Sequence, residues 1–354
     1  MPDRSKTRRE FLKPAGPSGE RCADITEVPV GGSTVRVATR AMACEFSVIM
    51  NPGSHEHVST VGEILEMIHE IESWLSVYKP HSKISQTNRM AATEPVRLQP
   101  SLYHLLKTAR QLHQQTNGAF DIAAGAQITL WRQCRAEQRI PTAEELDAVL
   151  TRSGSQHLEL DDEANTVTFD TDGLQLDPGA IGKGFALDEA AAWMSKMKAA
   201  PKAYLLHGGH SSLVARGEHN GQSGWPVGIG NPLFTNKRLG TVLLRNQAMS
   251  TSGSNIQFFR HQGHRYGHIL DPRTAKPVDG MLSVTVLADS AATADALSTA
   301  FFVLGVENAR AVCDNLSNVG AILIPFPESG KRVTPTIIGV PFDQVFWDKK
   351  QVTV

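Results

Sequence analysis

The order of apolar and polar positions divides the chain into many short strands and a few longer helices. From 34 to 50 the apolar positions Val35, Val37, Phe46 and Val48 alternate in places, which predicts a strand broken near Met42-Ala43. Over 58–75 the period changes, and Ile64, Leu65, Ile68, Ile71 and Leu75 fall on one helical face. Further helices are expected at 101–115 and 142–152, the second opening with Thr142 three residues before Glu145, a capping-box spacing. Residues 157–170 read as a hairpin turning through 161–165, and 178–184 as a glycine-rich loop feeding a helix that ends near Met197. Strands follow at 203–207, 211–215, 224–229, 239–244, 256–260, 282–288 and 319–325, with helices at 292–304 and 306–315. Consecutive strands with helices packed at intervals predict an α+β fold of mixed, largely antiparallel sheets in two coupled lobes. No GxGxxG follows an early strand, which argues against a dinucleotide-binding Rossmann domain.

Composition narrows the class. The chain has 354 residues, enough for one large domain or two coupled lobes around a buried core. Its net charge of −1 offers no electrostatic hold on nucleic acid or an anionic membrane. No apolar run approaches the roughly 20 residues of a membrane-spanning helix, so no transmembrane segment is expected. Cys22, Cys44, Cys134 and Cys313 are scattered without CxxC spacing, which excludes a zinc ribbon and gives no disulfide framework. Thr7-Arg8-Arg9-Glu10-Phe11-Leu12-Lys13 looks like a twin-arginine export motif, but Pro14 to Arg21 lacks the apolar stretch of about 7–15 residues that export needs. Residues 1–32 therefore read as a flexible tail and 33–354 as the folded domain. As written, the chain is expected to stay in the cytoplasm, with the periplasm as the alternative.

Four segments carry candidate chemistry. Leu176-Asp177-Pro178-Gly179-Ala180-Ile181-Gly182-Lys183-Gly184 lets backbone approach a ligand closely, and the helix start that follows favours an anion, to which Lys183 adds charge. It is not a P-loop, because the GxxxxGK[ST] spacing is absent. In Ala294-Asp295-Ala296-Leu297-Ser298-Thr299-Ala300, Asp295 and Thr299 are four apart and share a helical face. A carboxylate and a hydroxyl so placed suit a hard cation such as Mg²⁺; alternatively, Asp295 serves the helix N-terminus and Thr299 bonds back within the helix. In His264-Arg265-Tyr266-Gly267-His268-Ile269-Leu270-Asp271-Pro272-Arg273, a short strand runs into an Asp-Pro turn, and His268 is a candidate general base or phosphate partner as well as a structural histidine. Gly118-Ala119-Phe120-Asp121 is a small turn whose aromatic ring is suited to a planar ligand. His207, His210, His261, His264 and His268 also form a candidate zinc set, although no HExxH or finger spacing is present.

Taken in order, these segments resemble the ApbE family of FAD:protein FMN transferases over about Arg40 to Pro325. The resemblance rests on Met42-Ala43-Cys44-Glu45-Phe46, Leu75-Ser76-Val77-Tyr78-Lys79-Pro80 with Ser82, Ile84 and Asn88, and the Gly118–Asp121 and Asp177–Gly184 segments. It continues in Ser250-Thr251-Ser252-Gly253, in residues 268–274 and in residues 294–300. It implies an ApbE-like, T-fold-like domain that takes FAD as substrate and holds Mg²⁺ through Asp295, Thr299 and the carbonyl of Ala180, with Ser298 beside them. It further implies flavin contacts at Met42, Tyr78, Ala119, Phe120, Asp121, Asp177, Lys183 and Ile269, with Tyr78 as the stacking partner of the isoalloxazine. His268 and Lys183 are the implied catalytic residues. The implied partner is an acceptor protein carrying a Ser/Thr flavinylation motif, often a membrane redox subunit; FAD hydrolysis to FMN and AMP, or FAD binding without catalysis, are the alternatives. Three positions depart from the family pattern: Leu206-His207-Gly208-Gly209-His210 replaces Asn-x-Gly-Gly-Asp, Ala275 replaces a glycine, and Ala43-Cys44 replaces Gly-Thr.

Overall fold

The computed structural model describes residues 32–254, 258–327, 330, 332–348 and 352. The tail with the twin-arginine-like motif lies outside the described residues, as do Ile256 and Gln257 of one expected strand. The chain opens as a hairpin, β1 (Val35–Ala41) and β2 (Cys44–Met50). Its tight turn places Met42 and Ala43 at φ 50° and 58°, which explains the break in the strand pattern. Helices α1 (His55–Leu75), α2 (Lys83–Met90), α3 (Pro100–Gln115), α4 (Gly125–Ala136) and α5 (Ala143–Leu150) follow, with the short β3 (Val96–Arg97) between α2 and α3. The capping box at α5 is formed in both directions by Thr142 and Glu145. The hairpin β4 (Leu158–Asp161) and β5 (Thr166–Phe169) pairs with β3, and a 3₁₀ turn, Pro178–Ala180, leads into α6 (Gly182–Lys196).

Strands then dominate: β6 (Tyr204–Gly208), β7 (Ser212–Arg216), β8 (Trp225–Gly230), β9 (Arg238–Leu244), β10 (Ala248–Gly253), β11 (Phe258–His261) and β12 (His264–Gly267). After the short pair β13 (Leu270–Asp271) and β14 (Lys276–Pro277) comes β15 (Met281–Ala288), then α7 (Ala291–Cys313), β16 (Gly320–Pro325), β17 (Thr336–Ile338) and β18 (Val345–Trp347). Eight strands form one antiparallel sheet in the order β1-β2-β6-β7-β10-β15-β16-β17. A three-stranded sheet, β18-β9-β8, stands apart from it.

The central strands are apolar on both faces because each face has its own core. Leu206, Val214, Ala248, Val286 and Leu323 belong to the cluster that includes α1, α3, α6 and α7, whereas Leu205, Leu213, Met249, Leu287 and Ile322 pack with Trp225, Leu239 and Val242 of the smaller sheet. The period-two alternation of a strand thus sends successive side chains into two different cores, and all eight residues of β15 are buried. Helix α7 is the one described helix long and apolar enough to cross a membrane. It packs against β7, β10, β15, β16 and α6, so here its hydropathy serves the core. The two helices expected at 292–304 and 306–315 are its two parts, meeting at Gly305 (φ 71°), where the helical path is broken.

Candidate functional site

The site is organised where α6 and α7 meet the end of β10. Gly184 makes that meeting possible: a Cβ there would lie 2.1 Å from the carbonyl oxygen of Ala291. Only glycine lets the two helix starts come so close. The N-terminus of α7 is capped by Ser290, whose Oγ accepts from Thr293 N. Asp188 of α6 accepts from Ala291 N and Ala292 N at 2.8 and 2.9 Å and from Ser290 Oγ at 2.8 Å. Burial pushes the Asp188 carboxyl up, against these bonds. Ser290 and Asp188 hold the start of α7, and the Asp295 carboxylate meets the first turn of α6 instead, through Gly184 N.

Asp295 is buried and surrounded by donors. Its Oδ1 accepts from Ser250 Oγ at 2.9 Å and Ser212 Oγ at 3.2 Å, and its Oδ2 accepts from Gly184 N at 3.2 Å. One turn on, Ser298 Oγ and Thr299 Oγ1 donate to Asp295 O at 2.9 and 3.4 Å, and both lie beside Ser252 Oγ, at 2.8 and 3.1 Å. The back-bonding expected as an alternative for Thr299 is therefore present, but it is long and leaves lone pairs on a half-exposed oxygen. Ser298 is different: its hydroxyl is fully buried and engaged, which makes it a support for Thr299. A carboxylate among serine and threonine hydroxyls is an oxygen donor set, which fits a hard cation such as Mg²⁺ and not the N/S preference of zinc. Among the described residues no three His, Cys, Asp or Glu side chains gather as a metal-binding group, so the histidine-zinc alternative has no site.

The flavin-side candidates converge on the loop before α6. Asn88 clamps the backbone of Leu176 in both directions, at 3.0 and 2.8 Å, and Asp177 N donates to Ile122 O at 2.8 Å. These bonds join the 118–123 and 176–180 loops. Asp177 Oδ1 caps the 3₁₀ turn through Gly179 N at 2.8 Å, and its Oδ2 lies 3.3 Å from Arg132 Nη2. The same guanidinium sits 5.1 Å from the ring centre of Tyr78, which is 74% exposed and open to a stacking ligand. Lys183 is half-buried in the first turn of α6. Ile269, adjoining His268, is buried in the main core.

Ala119 and Phe120 are 1% and 2% exposed and belong to the main core. The Asp121 carboxylate accepts from Ala123 N at 2.8 Å, Ser155 N at 3.0 Å and Ser155 Oγ at 2.5 Å. His113 Nδ1 lies 3.0 Å from its Oδ2 without the alignment of a hydrogen bond. Burial raises the Asp121 carboxyl, but His113, Ser155 and the Ala123 amide outweigh it and hold the group below its usual range. Asp121 thus folds the loop. Arg132, Ser212, Ser250 and Ser252 were not singled out individually; the Ser250–Gly253 motif was the only sequence signal for two of them.

Two of the three family departures are neighbours. Gly209 packs against Cys44, and Gly209 N donates to Glu45 O at 2.8 Å. Ala275 adopts φ 54°, so the glycine usual there is replaced by a residue in the left-handed region, fully buried against Ala126 and Val149. His207 Nε2 is buried without a hydrogen-bond partner, and the imidazole is depressed to about 4 by burial first and then by Arg36 and His210, with Glu45 opposing. The unfolded chain therefore binds a proton that the folded chain refuses between about pH 6.5 and 4. Stability is full above that window and falls as pH drops through it. Denaturant titrations at pH 7 and pH 5 should show this loss, and His207→Leu should flatten the slope; an unchanged slope would contradict the assignment.

The comparisons agree with the fold and the motif order. The ApbE family model matches residues 34–323, and the chain belongs to the ApbE family. It is 30% identical over 281 residues to the FAD:protein FMN transferase of Vibrio cholerae, covering 78% of this chain and 82% of that one. It is also 30% identical over 326 residues to the enzyme of that name from Treponema pallidum, covering 87% and 90%. The crystal structure of the ApbE protein of Thermotoga maritima superposes with a TM-score of 0.75 at 27% identity, covering 83% of this chain and 94% of that one.

Proposed function

We propose that this chain transfers FMN from FAD to a Ser or Thr hydroxyl of an acceptor protein and releases AMP, with Mg²⁺ at Asp295. The observation that carries the reading is the Asp295 carboxylate, buried among hydroxyls beside the start of α6. The names of the relatives support the same reaction. When bound at Asp295, Thr299 and the Ala180 carbonyl, Mg²⁺ supplies charge neutralisation on the diphosphate. Lys183 and the α6 N-terminus add positive potential where the phosphates lie. The acceptor oxygen forms a bond to the FMN-side phosphorus, and the bond from that phosphorus to the bridging oxygen breaks. The electron pair leaves with AMP, and His268 takes the hydroxyl proton. The protein's part is positioning and charge stabilisation, as phosphoryl transfer requires.

Tyr78 stacks on the flavin with Arg132 behind it, and Arg132 also steadies Asp177. Arg132→Ala should therefore weaken FAD binding by roughly threefold, the scale of an exposed cation–π contact. Flavin fluorescence titration reads this directly, and unchanged affinity would remove Arg132 from the flavin site.

Chromatography of FAD incubated with the protein, with and without a Thr-bearing acceptor domain and with EDTA, tests the reaction. The proposal expects AMP only when acceptor and Mg²⁺ are both present, with no matching release of FMN into solution. Equal release of FMN and AMP without acceptor would replace transfer by hydrolysis. Retained, intact FAD with a competent acceptor would indicate a binding protein.

A further inference from the structure

The hairpin β11–β12 belongs to neither larger sheet and rises from the edge of the site. Its stems are tied to the site residues: Arg265 Nη2 donates to Ser254 O, two residues after Ser252, which lies beside Thr299, and His268 directly follows β12. Gln262 and Gly263, at φ 47° and 81°, form its tight turn.

One face is fixed to the body. Phe259 and Tyr266 are cross-strand partners with ring centres 5.3 Å apart, and both pack on Trp131 of α4, at 6.1 and 5.8 Å. At the tip, His261 Nδ1 lies 3.0 Å from Gln138 O. Side chains alternate along a strand, so Phe258, Arg260 and Arg265 lie on the other face. That face is unusual. Arg260 and Arg265 are direct cross-strand partners, and neither has a carboxylate partner among the described residues. Like charges placed opposite each other destabilise a hairpin unless an anion comes between them. Arg265 lies 4.2 Å from the ring centre of the 38% exposed Phe258 while its Nη2 donates to Ser254 O, so its guanidinium is held in place at this face. Residues 258–268 contain Arg260, His261, His264, Arg265 and His268 and no Asp or Glu.

We infer that this outward face docks an acidic stretch of the acceptor polypeptide, next to the hydroxyl that is modified. The inference rests on the transfer reading, which requires an acceptor chain at His268. At about 3.3 Å per residue, the three residues from Arg265 to His268, which lies in the bend after β12, span at most roughly 10 Å. That reach suits a peptide whose acidic residues lie about three positions from the modified residue. The arginine pair supplies charge and a planar fork for carboxylates, and Phe258 supplies an apolar footing.

The test uses the full chain and two synthetic Thr-containing peptides, one with flanking Asp and Glu and one with Asn and Gln in their place. Wild type should bind the acidic peptide roughly tenfold more tightly at low salt, with the difference shrinking as salt rises. Arg260 is exposed and has no carboxylate partner among the described residues, so Arg260→Glu should abolish the preference while FAD affinity stays unchanged. Arg260→Lys should keep most of the preference. Equal binding of both peptides to wild type would overturn the inference, as would loss of FAD affinity in Arg260→Glu, which would assign the arginines to the substrate's phosphates. Charge-selective binding without FMN transfer to any hydroxyl would instead support the docking surface and sink the transfer reading.

Discussion

Asp295→Ala is expected to lower Mg²⁺-dependent AMP release by roughly a thousandfold, the rate equivalent of several kcal/mol of lost charge stabilisation. The carboxylate is the charged member of the proposed donor set, whose other members, the Thr299 hydroxyl and the Ala180 carbonyl, are neutral, and neutral oxygens alone hold a hard divalent cation poorly. Its loss also leaves Ser212, Ser250 and Gly184 N without their acceptor. Each buried donor so orphaned costs about 1–3 kcal/mol, so the alanine variant should melt early. Asp295→Asn perturbs folding less: its one amide oxygen still accepts from Ser212 and Ser250, while the charge and the acceptor for Gly184 N are lost. Rates measured across a Mg²⁺ titration in both variants decide the matter. Full Mg²⁺-dependent turnover in a folded Asp295→Asn protein would remove the metal from this position.

Gly184→Ala should be nearly as damaging through a different cause. The added methyl would meet Ala291 O, Ala291 C and Ala292 N at 2.1, 2.4 and 2.6 Å, all backbone atoms of the α7 start. Backbone does not swing aside as a side chain tip does, so α6 and α7 must separate. Overpacking of this kind costs about 3 kcal/mol, and a melting temperature roughly 5 °C lower is expected. Separation would also break the Gly184 N bond to Asp295 and strain the Asp188 cap on α7. The variant should therefore lose metal response along with stability. A wild-type melting curve would show that the helix starts are not held as closely as described.

Sequence patterns were most informative where one physical signal dominated. The two-core sheet makes most positions of β6, β7, β15 and β16 buried and apolar, and these segments are expected as strands. The break at Met42-Ala43 became a tight turn, and the two expected helices near 304 and 306 became one chain of turns broken at Gly305. Helix α4 was not expected, because its buried residues are Gly125, Ala126, Gln127 and Cys134, which form no apolar stripe. That helix nevertheless holds much of the site's flavin side. Gln127 Nε2 donates to Pro272 O at 2.8 Å, Trp131 Nε1 to Ala275 O at 2.6 Å, and Arg132 bridges Asp177 and Tyr78. Helix α2 escaped for the same reason, burying Ile84 with Ser85 and Thr87.

At the site, the i, i+4 spacing of Asp295 and Thr299 was legible because it is local. The hydroxyls around them were not, since Ser212 and Ser250 lie 83 and 45 residues away in sequence and meet Asp295 only through strand pairing. At Asp121 the structure adds what the motif did not show: its carboxylate also ties the loop together through Ala123 and Ser155. His113 and Ser155, which take up Asp121, are likewise distant in sequence.

The most direct measurement is the intact mass of a Thr-bearing acceptor domain after incubation with this protein, FAD and Mg²⁺, beside an EDTA control. The account predicts a Mg²⁺-dependent mass gain equal to one esterified FMN, localised to a hydroxyl residue. An unmodified acceptor, under conditions where a known transferase of the family modifies the same domain, would contradict it.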